Sequence, residues 1–208
     1  MLQTIELPSF LNCRLADSLE IKLAELRSRI EAFQDRWYQD APEQFVAADY
    51  ELVHHALAWI RETQPLAGGR FLEWGCGFAA VSCLARLQQW TVFAVEAHAD
   101  LIGEARETIA RWPAEVELFE GNFLPQDADS LADEPTLPSL GHGGQSAYDV
   151  WQLGLDDFAI VYSYPWPGED RFHEDVFERY AATGALLLMF IGPNEMRLCR
   201  KVSGGRFR

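Results

Sequence analysis

The sequence predicts a doubly wound α/β domain, a mostly parallel sheet with helices on both faces, preceded by a helical extension. Three observations carry this prediction. From Arg70 onward, short apolar runs alternate with amphipathic stretches, the pattern of successive βα units. Two glycines, Gly75 and Gly77, directly follow the first of those runs and precede a helical stretch. An acidic residue, Glu96, closes the second run nineteen residues beyond Gly77.

Taken in order, residues 15–33 carry Leu19, Ile21, Leu23, Leu26 and Ile30 at roughly helical intervals among charges, which predicts an amphipathic helix. A second helix is expected from near Pro42 to about Thr63, with Phe45, Leu52, Ala56 and Ile60 among its apolar positions. Residues 1–66 therefore read as a helical extension, and Gly68-Gly69 mark the entry into the α/β unit at 67–208. Within that unit, strands are expected at 71–74, 91–95, 116–119, 159–163 and 186–191, with helices at 78–88, 100–111 and 174–182. Strands joined through helices run parallel and are covered on both faces. Residues 125–146 are rich in Pro, Gly, Asp and Ser, and read as either a disordered segment or a mobile flap.

Composition narrows the partners. The chain has 208 residues, long enough for one substantial core. Its 32 acidic residues against 17 basic ones set up a field that repels phosphate backbones and anionic bilayers, so neither nucleic acid nor membrane is an expected partner. The longest apolar run, 185–191, is far short of the roughly 20 residues that cross a bilayer, and no basic-then-apolar leader opens the chain. A soluble, cytoplasmic protein is the expectation. Cys13, Cys76, Cys83 and Cys199 form no C-x-x-C pair, and the adjacent His54 and His55 would point in different directions on a helix, so reduced thiols and no metal are expected. No motif addresses oligomeric state.

The chemistry concentrates in Phe71-Leu72-Glu73-Trp74-Gly75-Cys76-Gly77-Phe78-Ala79-Ala80. Glycines between a strand and a helix let a ligand approach bare backbone amides, and a carboxylate at the next strand end can accept hydrogen bonds from both ribose hydroxyls. Gly75-x-Gly77-x-x-Ala80 also satisfies the dinucleotide fingerprint. Glu73 separates the two cofactor classes, because a carboxylate two residues before the first glycine would repel a pyrophosphate yet hold the cationic amino end of S-adenosylmethionine, directly or through water. Length agrees, since little chain remains beyond 191 to build the separate substrate-binding part of a dehydrogenase.

On these residues, from 45 to 191, the sequence resembles the class I, Rossmann-like S-adenosylmethionine-dependent methyltransferases. The resemblance implies a sheet of order 3-2-1-4-5, counted from the strand at 71–74, and a cofactor site formed by Glu73, Gly75, Cys76, Gly77, Glu96, Ala97, Asn122, Phe123 and Ser163. It also implies that the turn Tyr164-Pro165-Trp166-Pro167-Gly168-Glu169 borders the methyl group, with Tyr164, Trp166 and Glu169 as acceptor-pocket candidates. The chain departs from the family at three places: Asn122 stands where an acid is commoner, Ala79 where many members have glycine, and Tyr164 replaces the first proline of the N/D/S-P-P-Y/F turn. The stretch from Phe45 to Glu51 lies where many members place a segment that folds over the cofactor, which would bring in Phe45 and Tyr50; plain helix packing accounts for them equally. Small protein-lysine methyltransferases join such a segment to a sheet shortened after its fifth strand. Only 17 residues follow Ile191, too few for the family's usual sixth and seventh strands, although 197–202 could add one edge strand; either the sheet is abbreviated or the sequence is cut short.

The implied reaction is an in-line displacement that requires alignment more than a dedicated catalytic residue, and none is assigned. The methyl acceptor, a small molecule or a protein, is unidentified; aromatic residues beside the methyl group favour a nitrogen acceptor, a protein lysine or a small amine, through cation–π attraction. Two other readings stay open: an NAD(P)-dependent oxidoreductase, and a catalytically inactive methyltransferase-like binding module.

Overall fold

The computed structural model describes residues 1–10, 13–37, 45–112, 114–141, 144–193 and 195–204. A short strand β1 (Leu2–Ile5) precedes the long helix α1 (Asp17–Trp37), whose Leu19, Leu23, Leu26, Ile30 and Phe33 are buried in one stripe. Ile21, which the apolar spacing includes, falls outside that stripe and is 70% exposed. Helix α2 (Tyr50–Thr63) begins later than the sequence suggests, because the Asp49 carboxylate caps it by accepting from the backbone N–H of Glu51 (3.1 Å) and Leu52 (3.0 Å). The expected start at Pro42 lies outside the described residues, and residues 45–49 are not helical.

The α/β unit then runs β2 (Arg70–Trp74), α3 (Ala80–Leu87), β3 (Thr91–Glu96), α4 (Ala99–Arg111) and β4 (Val116–Glu120). After it come two small helices, α5 (Pro138–Gly141) and α6 (Ala147–Trp151), then β5 (Ile160–Ser163), α7 (Asp170–Tyr180), β6 (Leu186–Gly192) and β7 (Glu195–Lys201). The sheet order is β1-β7-β6-β5-β2-β3-β4. Its five parallel members stand in the expected 3-2-1-4-5 arrangement, but the sheet does not stop after the fifth: β7 pairs antiparallel with β6, and β1 pairs antiparallel with β7 and forms the edge. The chain's opening residues thus complete the sheet. Nothing in a four-residue run such as Leu2–Ile5 identifies a strand without the partner that supplies its hydrogen bonds.

Side chains alternate across the sheet with period two. Phe71, Ile160, Tyr162, Leu186, Leu188 and Phe190 pack on α1, α2 and α3, while Leu72, Trp74, Val161, Leu187 and Met189 pack on α7 and on the segment after β4. Within 125–146, expected to be disordered or a flap, Ala128 is buried in this second face and Leu131, Ala132, Leu137 and Leu140 pack against it, while the flanking residues contribute more. Leu124, Ala128, Ala147, Tyr148, Leu155 and Phe158 are buried, and the Trp74 indole N–H donates to the Tyr148 hydroxyl at 3.0 Å. Its apolar residues are too sparse for a periodic signal, yet several of them join the cluster that includes Leu72 and Trp74.

The α2 cap gives a direct test of how far the segment 45–49 is fixed by its join to the helix. Asp49→Ala should cost about 1 kcal/mol of unfolding free energy in urea titration, and Asp49→Asn should recover most of it.

Candidate functional site

A cavity of about 750 Å³ opens at the carboxyl ends of the parallel strands, where β2 and β5 diverge in their connections. One wall is the turn between β2 and α3. Gly75 and Gly77 adopt positive φ (+67° and +54°), and Ala79 follows in the left-handed region at φ 54°, ψ 28°. This is why α3 starts at Ala80 rather than at Phe78. A Cβ on Gly77 would run into the Phe45 ring, so glycine there permits both the backbone geometry and the close approach.

Glu96, at the end of β3, fixes the turn. Its Oε2 accepts the Gly77 N–H at 2.8 Å and its Oε1 accepts the His98 N–H at 2.9 Å, which leaves lone pairs on both oxygens facing the cavity. Glu73 lies behind the same turn and is 3% exposed. Both bonds it accepts from Ser82, from the backbone N–H at 2.8 Å and from the hydroxyl, go to Oε2, so Oε1 remains for the cavity. Burial pushes the Glu73 carboxyl up to about 8 against the pull of those Ser82 bonds, and the Glu96 charge adds to the rise. Tyr162 is its register partner on β5 and lines the same cavity, and its buried hydroxyl has no hydrogen-bond partner among the described residues. Desolvation raises the hydroxyls of Tyr162 and Tyr50, the latter also a cavity residue, well above the ordinary phenol range.

A second wall comes from β3 and β4. Ala97 follows Glu96, and Asn122 and Phe123 follow β4. The Asn122 carboxamide oxygen accepts the Leu124 N–H at 2.9 Å, and the Phe123 ring stacks on Trp74 with centroids 5.1 Å apart. The third wall is the turn after β5, with Tyr164, Trp166 and Glu169, and beyond it Asp170, Glu195 and Arg197. Arg197 is ion-paired to Asp170 (3.3 Å) and Glu174 (2.7 Å).

Of the residues expected at the site, Glu73, Gly75, Cys76, Gly77, Glu96, Ala97, Asn122, Phe123, Tyr164, Trp166, Glu169, Phe45 and Tyr50 all line this one cavity. Ser163 does not. It is fully buried, and its hydroxyl is 2.5 Å from His173 Nδ1. The sequence reading passed over Tyr162, Ser139 and His173. The spacing of Glu169 and His173, four residues apart on one helix face, was a legible signal for the last; nothing local announced Ser139, which a long connection brings to the site. Among the described residues no group of His, Cys, Asp and Glu could hold a metal ion, and no helix is long and apolar enough to cross a membrane. All four cysteines are free.

Glu73 makes stability depend on pH in a direction that can be worked out. Its folded value of about 8 lies above the ordinary 4.5, so between these pH values the folded chain holds a proton that the unfolded chain has released. This term therefore weakens the fold as pH rises through that window. Glu73→Gln should remove the slope: thermal melts should show the variant more stable than the parent above pH about 8 and closely matched to it below about 4.5.

No protein-family model matches the sequence, and a search of curated proteins returned no match. Solved structures do resemble it. A methyltransferase from Geobacter sulfurreducens aligns over 92% of this chain and 99% of its own, with TM-score 0.52 at 14% identity. An O-methyltransferase from Streptomyces achromogenes, in complex with S-adenosylmethionine, aligns over 86% of this chain and 67% of its own, with TM-score 0.51 at 16% identity. An O-methyltransferase from Bacillus cereus, in complex with S-adenosylhomocysteine, aligns over 86% and 68%, with TM-score 0.50 at 12% identity. At such identities the likeness is one of fold: this chain has the Rossmann-like fold of the S-adenosylmethionine-dependent methyltransferases.

Proposed function

We propose that the chain is an S-adenosylmethionine-dependent methyltransferase. The observation that carries this reading is the joining, in one cavity, of a glycine turn tied to a strand-end carboxylate with an aromatic turn across the switch point. Glu96 has the free lone pairs to take both ribose hydroxyls, and the Asn122–Phe123 wall fits a flat base. Oε1 of Glu73 and the unpartnered Tyr162 hydroxyl fit the amino-acid end. Two similar structures carry S-adenosylmethionine or its demethylated product, which supports the same ligand here. A pyrophosphate brings no cation to pair with the buried Glu73 carboxyl, so the nicotinamide reading is disfavoured; an inactive module would have no use for both acidic residues at the turn.

Bound S-adenosylmethionine supplies an electrophilic methyl group on a sulfonium. The protein's own part is to align the acceptor and exclude water. Phe45 lies over Gly77 and holds one rim closed, with its carbonyl accepting from the Gln34 carboxamide at 2.9 Å. Tyr164 and Trp166 supply aromatic surface beside carboxylates of Glu169, Asp170 and Glu195, a lining that suits a cationic amine. We therefore favour a nitrogen acceptor. A hydroxyl acceptor is the second reading, because two of the similar structures are O-methyltransferases.

Calorimetric titration with S-adenosylhomocysteine, run beside NAD, tests the reading: micromolar binding of the former alone supports it, and binding of neither removes it. Glu96→Ala should weaken S-adenosylhomocysteine binding about tenfold to a hundredfold, the loss expected for hydrogen bonds to a charged group. An ammonium arriving beside a protonated Glu73 would drive its ionisation, so below pH about 8 binding should release a proton. Titrations in buffers of different ionisation enthalpy read that proton, and Glu73→Gln should abolish it.

A further inference from the structure

Four polar side chains from three elements meet at the third wall of the cavity. Ser163 ends β5, Glu169 is the N-cap of α7 and His173 lies in its first turn, and Ser139 comes from α5. None exceeds 4% exposure: Ser163 and Glu169 are fully buried, while His173 and Ser139 keep 3% and 4% and line the cavity together with Glu169. Their hydrogen bonds have one consistent direction. The Ser139 hydroxyl donates to Glu169 Oε2 at 2.8 Å, and the Ser139 N–H donates to Oε1 at 2.7 Å. Having spent its proton, the Ser139 oxygen accepts from His173 Nε2, 3.2 Å away, which leaves Nδ1 bare to accept from the Ser163 hydroxyl. Burial holds the imidazole down near 3, so it is neutral, and its 3.9 Å approach to Glu169 is not an ion pair.

A chain of donors that ends on a buried carboxyl with no Lys or Arg paired to it among the described residues is costly if its only task is to pin α5 to α7, since an apolar contact would do that better. It is also the arrangement that receives a proton. We propose that Ser139 is a catalytic relay, passing the proton of the methyl acceptor to Glu169, with His173 and Ser163 as positioning residues. The Ser139 oxygen has one lone pair taken by His173 and a second that remains for the acceptor. In the step, the acceptor's lone pair forms the bond to the methyl carbon, and the carbon–sulfur bond breaks with its electrons staying on sulfur. The acceptor's proton passes to Ser139 Oγ as the original Ser139 proton passes to Glu169 Oε2. The acceptor is thereby assigned to the protonated nucleophiles, a hydroxyl or an amine that keeps at least one N–H.

This inference rests on the methyltransferase reading, and the experiment separates the two. Binding of S-adenosylhomocysteine is measured first on the parent chain and on Ser139→Ala, Ser139→Thr, Glu169→Gln and the Ser139→Ala/Glu169→Gln double variant. Failure of the parent chain to bind overturns the methyltransferase reading itself, and unchanged binding in the variants shows that they are folded. Methyl transfer from labelled S-adenosylmethionine is then followed to four probes: catechol, a primary alkylamine, dithiothreitol and a tertiary amine. The expected result is transfer to catechol or the primary amine, with kcat lowered about a hundredfold or more by either single substitution, the magnitude of lost proton transfer. The double variant should be no worse than the singles, because the two residues act as one unit. Ser139→Thr should restore most of the rate. Equal rates in the parent and Glu169→Gln, additive losses in the double variant, or transfer confined to dithiothreitol, the tertiary amine or none of the probes would overturn the proposal.

Discussion

The hydrogen bond from the Gly77 amide to Glu96 joins the end of β3 to the turn after β2, and the rest of the site is arranged around that join. Two neighbouring parallel strands would place their ends side by side in any case, with Glu73 opposite Ala94 and Trp74 opposite Val95. The carboxylate adds a fixed path for the loop. Gly75 and Gly77 take the positive φ values that the path demands, and the Cys76 N–H donates to the Val95 carbonyl at 2.9 Å, a second tether to the same strand. Because both Glu96 oxygens are already oriented by backbone amides, little ordering remains to be done when a ligand arrives.

Around this fixed turn the molecule places groups that oppose ordinary folding economy. Glu73 and Tyr162 sit side by side in the sheet, one a carboxyl raised to about 8 and the other a buried hydroxyl without a partner. Ser139, Glu169 and His173 form a second polar island on the other side of the switch point. Each island reduces what apolar packing would otherwise contribute, and both face one cavity. Concentration of such groups at a single concave surface, within a sheet otherwise lined by Leu, Ile, Val and Phe, is the mark of a site shaped for ligand chemistry more than for stability.

The two faces of the sheet are built in different ways. On one, the long amphipathic α1 and α2 pack in regular stripes on Phe71, Ile160 and Leu188. On the other, the segment between β4 and β5 contributes short helical pieces, with buried residues as far apart as Leu124 and Phe158, and it also delivers Ser139. Its role in the core and its role in the cavity are therefore coupled. The Trp74 ring contacts Tyr148, Phe123 and His173, and so connects the packing of this segment with both the second and third walls.

The sequence by itself determined the alternation of strands and helices and the glycine turn and strand-end acid at the heart of the cavity, while the order of the five parallel strands came with the resemblance to the methyltransferases. It could do so because period, glycine spacing and strand-end acids are local and follow one another along the chain: Glu73, Gly75, Gly77 and Glu96 lie within 24 residues. Tertiary structure alone decided the rest. Leu2–Ile5 is a strand because β7 offers it hydrogen bonds, and α3 begins at Ala80 because Glu96 pulls the loop into left-handed geometry. The scattered apolar residues after β4, Leu124, Ala128, Leu137 and Leu140 among them, pack in the cluster that includes Leu72 and Trp74 of the sheet. Ser163 turned away from the cavity because a buried imidazole accepts its hydroxyl, and Ser139 entered the site from 30 residues before Glu169. Each of these depends on a partner distant in the chain, and a hydrogen bond or buried contact of that kind leaves no periodic trace in the residues that make it.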